Sequence, residues 1–178
     1  AIGNAWSTGG NLNTARVTAA GAGTQTSALV FGGGTPTVTA LTESYNGSSW
    51  TEVNDLTTAR SSLAGNGTQT SALAFGGATT PPFTTRAETE SWNGTSWTEV
   101  ADLNTARESL AGAGTNNTSA LAIGGRLGPP TDASQAVTES WNGSSWTELN
   151  DLNTARRLLA GVGTTTSALA FGGFTPNT

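Results

Sequence analysis

The chain has 178 residues, 12 acidic and 7 basic, with a formal net charge of −5 and no His, Cys or Met. All seven basic residues are Arg. This composition excludes disulfides, thiol nucleophiles, imidazole bases and histidine metal ligands, and an acidic chain without Lys is a poor partner for nucleic acid or anionic membrane surfaces.

Taken in chain order, the N-terminal stretch Ala1-Ile2-Gly3-Asn4-Ala5-Trp6 lacks the basic and apolar regions of a signal peptide. It implies either removal of an initiator Met or a segment of a longer chain. No apolar run approaches the ~18 residues of a membrane-spanning helix, so no membrane insertion is expected. A strand is expected around Trp6, and ten residues later comes Thr14-Ala15-Arg16. The same Trp-to-Arg spacing recurs at Trp50 and Arg60, Trp97 and Arg107, and Trp146 and Arg156. Each Arg is followed by a small-residue stretch, then Ser-Ala-Leu, then a Gly pair (Gly32-Gly33, Gly76-Gly77, Gly124-Gly125, Gly172-Gly173). After a variable stretch comes Thr-Glu-Ser-(Tyr/Trp)-Asn-Gly, with its aromatic at Tyr45, Trp92 and Trp141 and the next Trp five residues on.

The arginines are 44, 47 and 49 residues apart, and nearly all of the difference falls in one connection. From the second Gly of the pair to the aromatic there are 12, 15 and 16 residues, whereas the other spacings hold to within one. That connection also carries Pro36, Pro81-Pro82 and Pro129-Pro130, and Pro176 opens its fourth copy.

Short runs of Thr, Val, Trp and Phe between Gly and Asn clusters argue for strands, and no stretch has the apolar stripe of a helix. In the second repeat, strand A is expected from about Ser61 to Thr68, B from Ser71 to Phe75, C from about Ala87 to Trp92 and D from Ser96 to Leu103. The pairs Asn46-Gly47, Asn93-Gly94 and Asn142-Gly143 predict two-residue type I′ hairpins between C and D. Four strands in a period of ~40–50 residues make a propeller blade. The small residues of strand A suit a crowded central axis, and the Trp of strand D suits a wedge between adjacent sheets. The expected fold is therefore an all-β propeller of four-stranded antiparallel blades over residues 1–178, with units of approximately 6–49, 50–96, 97–145 and 146–178. The chain supplies about 3.75 blades, or 15 strands with one C strand missing, so further chain beyond Thr178 or another subunit is expected to complete the ring.

The Gly pair, the aromatic, the spaced Trp and the Arg after the fourth strand resemble the kelch repeat over essentially the whole chain. The aromatic-to-Trp hairpin is shorter here than in most kelch motifs. The Thr-, Ser- and Asn-rich, Lys-free style, with phrases such as Asn-Gly-Ser-Ser-Trp-Thr-Glu, is also similar to kelch-like proteins of marine bacteriophages. Kelch-fold oxidases of the galactose oxidase type use His, Tyr and Cys around copper. Here there is no His or Cys and one Tyr, Tyr45, so no cofactor is expected.

Several residue sets could carry chemistry. The Thr-Ala-Arg arginines could form a basic ring for an anion, or each could stack on a Trp and bond carbonyls between blades, as the resemblance implies. Glu43, Glu90 and Glu139 could be acid–base groups, or could pair with an Arg or Thr of the adjacent blade. Asp55, Asp102 and Asp151 could bind Ca²⁺, though one carboxylate per turn is too few, or could close turns. The Asn-Gly-(Ser/Thr) triplets match the glycosylation pattern as well as hairpin chemistry. A framework repeated almost verbatim with one variable loop per unit suits a scaffold that presents recognition loops. The resemblance gathers the B–C loops on one face. Their contact candidates are Thr35, Thr37, Pro81, Phe83, Arg86, Arg126, Leu127 and Asp132, set against the alternative of tolerated insertions.

The favoured expectation is a non-enzymatic structural or binding module for a carbohydrate or protein partner, as a phage tail or other virion component, in the virion or extracellular. The alternatives are a cytoplasmic kelch-type interaction adaptor or a glycan-processing enzyme.

Overall fold

A computed structural model describes residues 8–175, and among these there is no helix. The chain builds three four-stranded antiparallel sheets in succession and then a two-stranded one. Sheet 1 comprises β1 (Ala20–Thr24), β2 (Ser27–Phe31), β3 (Thr42–Tyr45) and β4 (Trp50–Val53). Next come β5 (Ala64–Thr68), β6 (Ser71–Phe75), the small separate hairpin β7 (Ala78–Thr79) and β8 (Thr84–Thr85), then β9 (Thr89–Trp92) and β10 (Trp97–Val100). Of these, β5, β6, β9 and β10 form sheet 2. Sheet 3 comprises β11 (Ala111–Asn116), β12 (Ser119–Ile123), β13 (Thr138–Trp141) and β14 (Trp146–Glu148), and sheet 4 has β15 (Ala160–Thr164) and β16 (Ser167–Phe171). The strand expected at Trp6 lies outside the described residues.

Three local expectations need correction. Strand A of the second repeat starts at Ala64 rather than Ser61, because Ser62 sits at φ +54° and interrupts the ladder, leaving Ser61 in an isolated bridge to Ala78. Strand D ends at Val100 rather than Leu103, and the Leu103 N–H turns to donate to Ala87 O at 3.0 Å. The Asn-Gly hairpins are not type I′. Tyr45 pairs with Trp50, so four residues make the turn, and of Asn46 and Gly47 only the glycine has positive φ. The asparagine works through its side chain instead. Asn46 Oδ1 accepts the N–H groups of Ser48 and Ser49 at 2.9 and 3.0 Å, and Asn93 and Asn142 do the same, an Asx arrangement that satisfies two turn amides at once.

The sheets are joined through their first strands, with β1 against β5, β5 against β11 and β11 against β15. The approach is backbone to backbone. A Cβ on Gly112 would lie 2.6 Å from Gly65 O, which explains the small residues in these strands.

The outer part of each interface is filled by the Trp that opens strand D. Trp97 of sheet 2 packs edge-on against Phe31 of sheet 1 (centroids 4.8 Å, planes at 63°), and its Nε1–H donates to Thr42 Oγ1 of sheet 1 at 3.1 Å. Trp146 repeats both contacts one sheet on, with Phe75 at 5.0 Å and Thr89 Oγ1 at 3.0 Å. Leu63 and Leu110, from the connections, complete the two clusters, which mix residues of adjacent sheets. Trp50 is half-buried, and its indole donates to Gly10 O. At the A–B turn, Gln69 reaches back to sheet 1 and donates to Ser44 Oγ and Tyr45 O; Asn117 does the same to Ser91 Oγ and Trp92 O.

At the end of the sheets near the Gly pairs, the Thr-Ala-Arg arginine staples two sheets. Arg60 lies between sheets 1 and 2. Its carbonyl accepts the Gly33 N–H of sheet 1 at 2.9 Å. Its guanidinium turns into sheet 2, donating to Gly76 O, to Glu88 O and to Glu90 Oε1 at 2.9 Å. The other carboxylate oxygen accepts the Thr57 N–H at 2.7 Å, folding the connection onto the sheet it enters. Arg107 and Glu139 repeat the unit, with Gly77 donating to Arg107 O. Both pairs are fully buried.

Two stability measurements check this frame. In urea titrations, Trp97→Ala and Trp146→Ala are each expected to lose about 3–5 kcal/mol, and Trp50→Ala less. Arg107→Met strands the Glu139 carboxylate in a dry site and is expected to lose about 3–5 kcal/mol. Adding Glu139→Leu should recover only part, since the Asn104 N–H then lacks its acceptor.

Candidate functional site

The repeated charged residues belong to the frame. Arg16, Arg60 and Arg107 each reach the glutamate of the sheet they lead into, Glu43, Glu90 and Glu139. The expected Arg–Trp stack is replaced by carbonyl and carboxylate bonds; the cation–π contact of the described residues is Arg157 over the Phe174 ring at 4.6 Å. Burial pulls the Arg60 and Arg107 guanidiniums below the ordinary arginine value, and the partner glutamate acts in the opposite direction. Asp55 and Asp102 close the C–D hairpin by accepting the Thr42 and Thr89 N–H groups thirteen residues upstream, and Asp151 is exposed. Among the described residues no group of three or more potential metal-ligating side chains forms, and no helix is long and apolar enough to cross a membrane.

The B–C connections have a constant base and a variable tip. At the base, Gly32, Gly76 and Gly124 N–H donate to Leu41, Glu88 and Val137 O, while Thr39, Arg86 and Gln135 N–H donate to the second Gly of each pair. Gly76 has φ +66°, and a Cβ there would lie 2.6 Å from Arg107 O, so the connection must leave the sheet on glycine.

Beyond that base the three loops differ. In the first, Thr35 and Thr37 are exposed and joined by a backbone bond from Thr35 N–H to Thr37 O. The second is the β7–β8 hairpin, which the sequence pattern did not predict. Its tip carries exposed Pro81 and Phe83, the latter 42% exposed, and at its base Arg86 pairs with Glu88 at 2.9 Å. The third is organised by Arg126, which bridges buried Glu108 at 2.6 Å and exposed Asp132. Leu127 is half-buried, its N–H donating to Ala133 O.

The structure brings the second and third loops together. Gly128 lies against Phe83 and Thr85, so closely that a Cβ there would be 2.7 Å from the Phe83 ring. Arg157, leading into sheet 4, then donates to Asp132 O at 3.2 Å and covers Phe174. Phe83, Leu127, Arg126, Asp132 and the Arg157–Phe174 pair thus form a connected strip, and Thr35 and Thr37 stand outside it. Glu108, Arg157 and Phe174 are the members that sequence reasoning missed. Their signal was present: the residue after Thr-Ala-Arg varies (Val17, Ser61, Glu108, Arg157) and bridges the residue after the Gly pair (Gly34, Ala78, Arg126, Phe174).

Comparison with known proteins finds no matching family model, and no curated protein matches the sequence. The strip is mixed, with an exposed ring beside paired charges. It suits surface recognition, in which a few aromatic and Arg anchors carry most of the energy.

Arg126→Ala leaves the Glu108 carboxylate buried without its guanidinium and is expected to lose about 1–3 kcal/mol. Hydrogen exchange should quicken over 126–134 with the sheets unchanged; Glu108→Gln in the same chain should restore part of the loss.

Proposed function

We propose that the chain builds blades of a kelch-type β-propeller and acts as a non-enzymatic binding module, presenting its B–C loops to a carbohydrate or protein partner. The observation that carries this reading is the contrast between base and tip. The hydrogen bonds that anchor each loop recur, whereas loop length and side chains change from one copy to the next. A frame that tolerates such change, with the second and third loops in contact, is a means of varying a surface without refolding the protein. The buried Arg–Glu pairs between sheets support a non-catalytic role for the recurring charges. A place on a virion appendage or another extracellular structure fits the phage-like style of the sequence.

The test is a glycan array together with a panel of immobilised cell-surface proteins, probed with the full chain. A ligand found this way is expected to bind about tenfold or more weakly to Phe83→Ala and to Arg126→Ala. Thr35→Ala, outside the strip, should bind as the parent does. Affinity unchanged by both strip substitutions would remove the loops from the assignment.

A further inference from the structure

The second and third B–C loops meet at an apolar seam. Each loop carries a proline pair, Pro81-Pro82 and Pro129-Pro130, and all four prolines are exposed. Where the loops touch, Phe83 packs against Gly128, the residue before the second pair, and its side chain stays largely open to solvent. Gly128 is what seats the ring, since a Cβ there would lie 2.7 Å from Phe83 Cε1 and would also collide with Thr85 Oγ1. Prolines fix their own φ. The seam is therefore stiff before any partner arrives, which lowers the ordering cost of binding.

The polar groups beside the ring are tied to the same glycine. Asp132 N–H donates to Gly128 O at 3.2 Å. The Asp132 side chain is 49% exposed, and its Oδ1 accepts from Arg126 Nη1. Arg126 turns Nε and Nη2 to Glu108 and is itself partly exposed. The charges cancel: Arg86 is paired with Glu88, and Arg126 and Arg157 stand against Glu108 and Asp132. The seam is thus neutral, and neither an anion nor a cation gains from it as a whole. What it offers is an acceptor and a donor side by side. Asp132 Oδ2 accepts no bond among the described residues, and the five N–H groups of the Arg126 fork exceed the bonds it makes to its two carboxylates.

We infer that this seam is a subsite for a neutral sugar ring, with Phe83 under the ring's C–H face and the Asp132–Arg126 pair on its hydroxyls. The inference rests on the loop-presentation reading and chooses between the two kinds of partner left open there. A hydroxyl both donates and accepts, so two neighbouring hydroxyls of a pyranose satisfy a carboxylate and a guanidinium N–H together. A charged side chain of a protein satisfies one member of that pair and leaves the other. The C–H groups of a pyranose are weakly positive, and the face of a phenyl ring is negative. One seated ring beside one donor–acceptor pair therefore matches a polyol with an apolar face. Gly128 is the positioning residue, because it packs on the ring and bonds the backbone of the aspartate.

The experiment sets neutral gluco-, galacto- and manno-oligosaccharides beside uronate- and sialate-bearing ones and probes all of them with the full chain. The neutral oligosaccharide retained best is titrated by calorimetry and followed by saturation-transfer NMR. Saturable binding is expected, with transfer to sugar C–H protons when the aromatic protons of the protein are irradiated. Affinity should fall about tenfold or more in Phe83→Leu, which stays apolar but has no ring face. Asp132→Asn should fall similarly, since asparagine tolerates the φ of +47° there while losing the charge-assisted bond. Gly128→Ala displaces the ring and should weaken binding as well, with a circular dichroism melt to check its fold; Phe83 and Asp132 are exposed, so their variants decide the matter if Gly128→Ala unfolds. Preference for the acidic oligosaccharides, or affinity indifferent to Phe83→Leu and Asp132→Asn, would overturn the inference. So would retention of no neutral oligosaccharide. If a protein of the panel is then bound and is lost with Phe83→Ala, the loops keep their binding role and the sugar assignment alone falls.

Discussion

The frame depends on a single repeated contact, the arginine between sheets whose carbonyl is bound by one sheet and whose guanidinium is bound by the next. An ion pair withdrawn from water gains little over an apolar pair of the same volume, because desolvation offsets most of the Coulomb attraction. What the pair supplies is geometry. The Arg60 fork must reach Gly76 O, Glu88 O and Glu90 while its own carbonyl stays on Gly33. Few placements of sheet 2 against sheet 1 allow all four bonds. Apolar contacts alone, such as Trp97 on Phe31, would tolerate sliding.

That arrangement carries a conformational cost at a fixed position. Thr18, Ser62, Ser109 and Leu158 occupy the same place in successive repeats, two residues after the arginine, and hold φ of 53, 54, 54 and 56°. Side chains with a Cβ disfavour this region, a branched Thr most of all. The bonds made there explain why the conformation persists. Ser62 N–H donates to Thr18 O, Ser109 to Ser62 O and Leu158 to Ser109 O, at 2.8–2.9 Å. This chain of amides crosses every sheet boundary, so the strained residues form a second set of ties beside the arginines.

Much of this architecture was legible in the sequence because its determinants are local and repeated. The spacing of Trp, Arg and Gly pair locates the strands to within three residues, and strand B to the residue. The Asx turn was misread because Asn-Gly predicts backbone conformation from residue type. Here the deciding fact is which turn amides the Asn46 Oδ1 atom can reach, and that depends on the Tyr45–Trp50 pairing. The strip was only half legible. Phe83, Arg126, Leu127 and Asp132 stand out as departures from the repeat. Glu108 and Arg157 sit in a segment that reads as frame, and they join the loops only because a bridge places them beside the residue after the Gly pair.

The same bookkeeping explains why identical phrases acquire different environments. Ser-Ala-Leu-Ala-Phe occurs in β6 and again in β16. In β6 its apolar side chains are buried, because β9 lies alongside and Trp146 presses on Phe75. In β16 Leu169 and Phe171 are exposed, while Ala170 stays packed on the core. Nothing in those five residues distinguishes the two cases. In a stack where each unit touches only its neighbours, a strand's environment is set by the units beside it rather than by its own five residues.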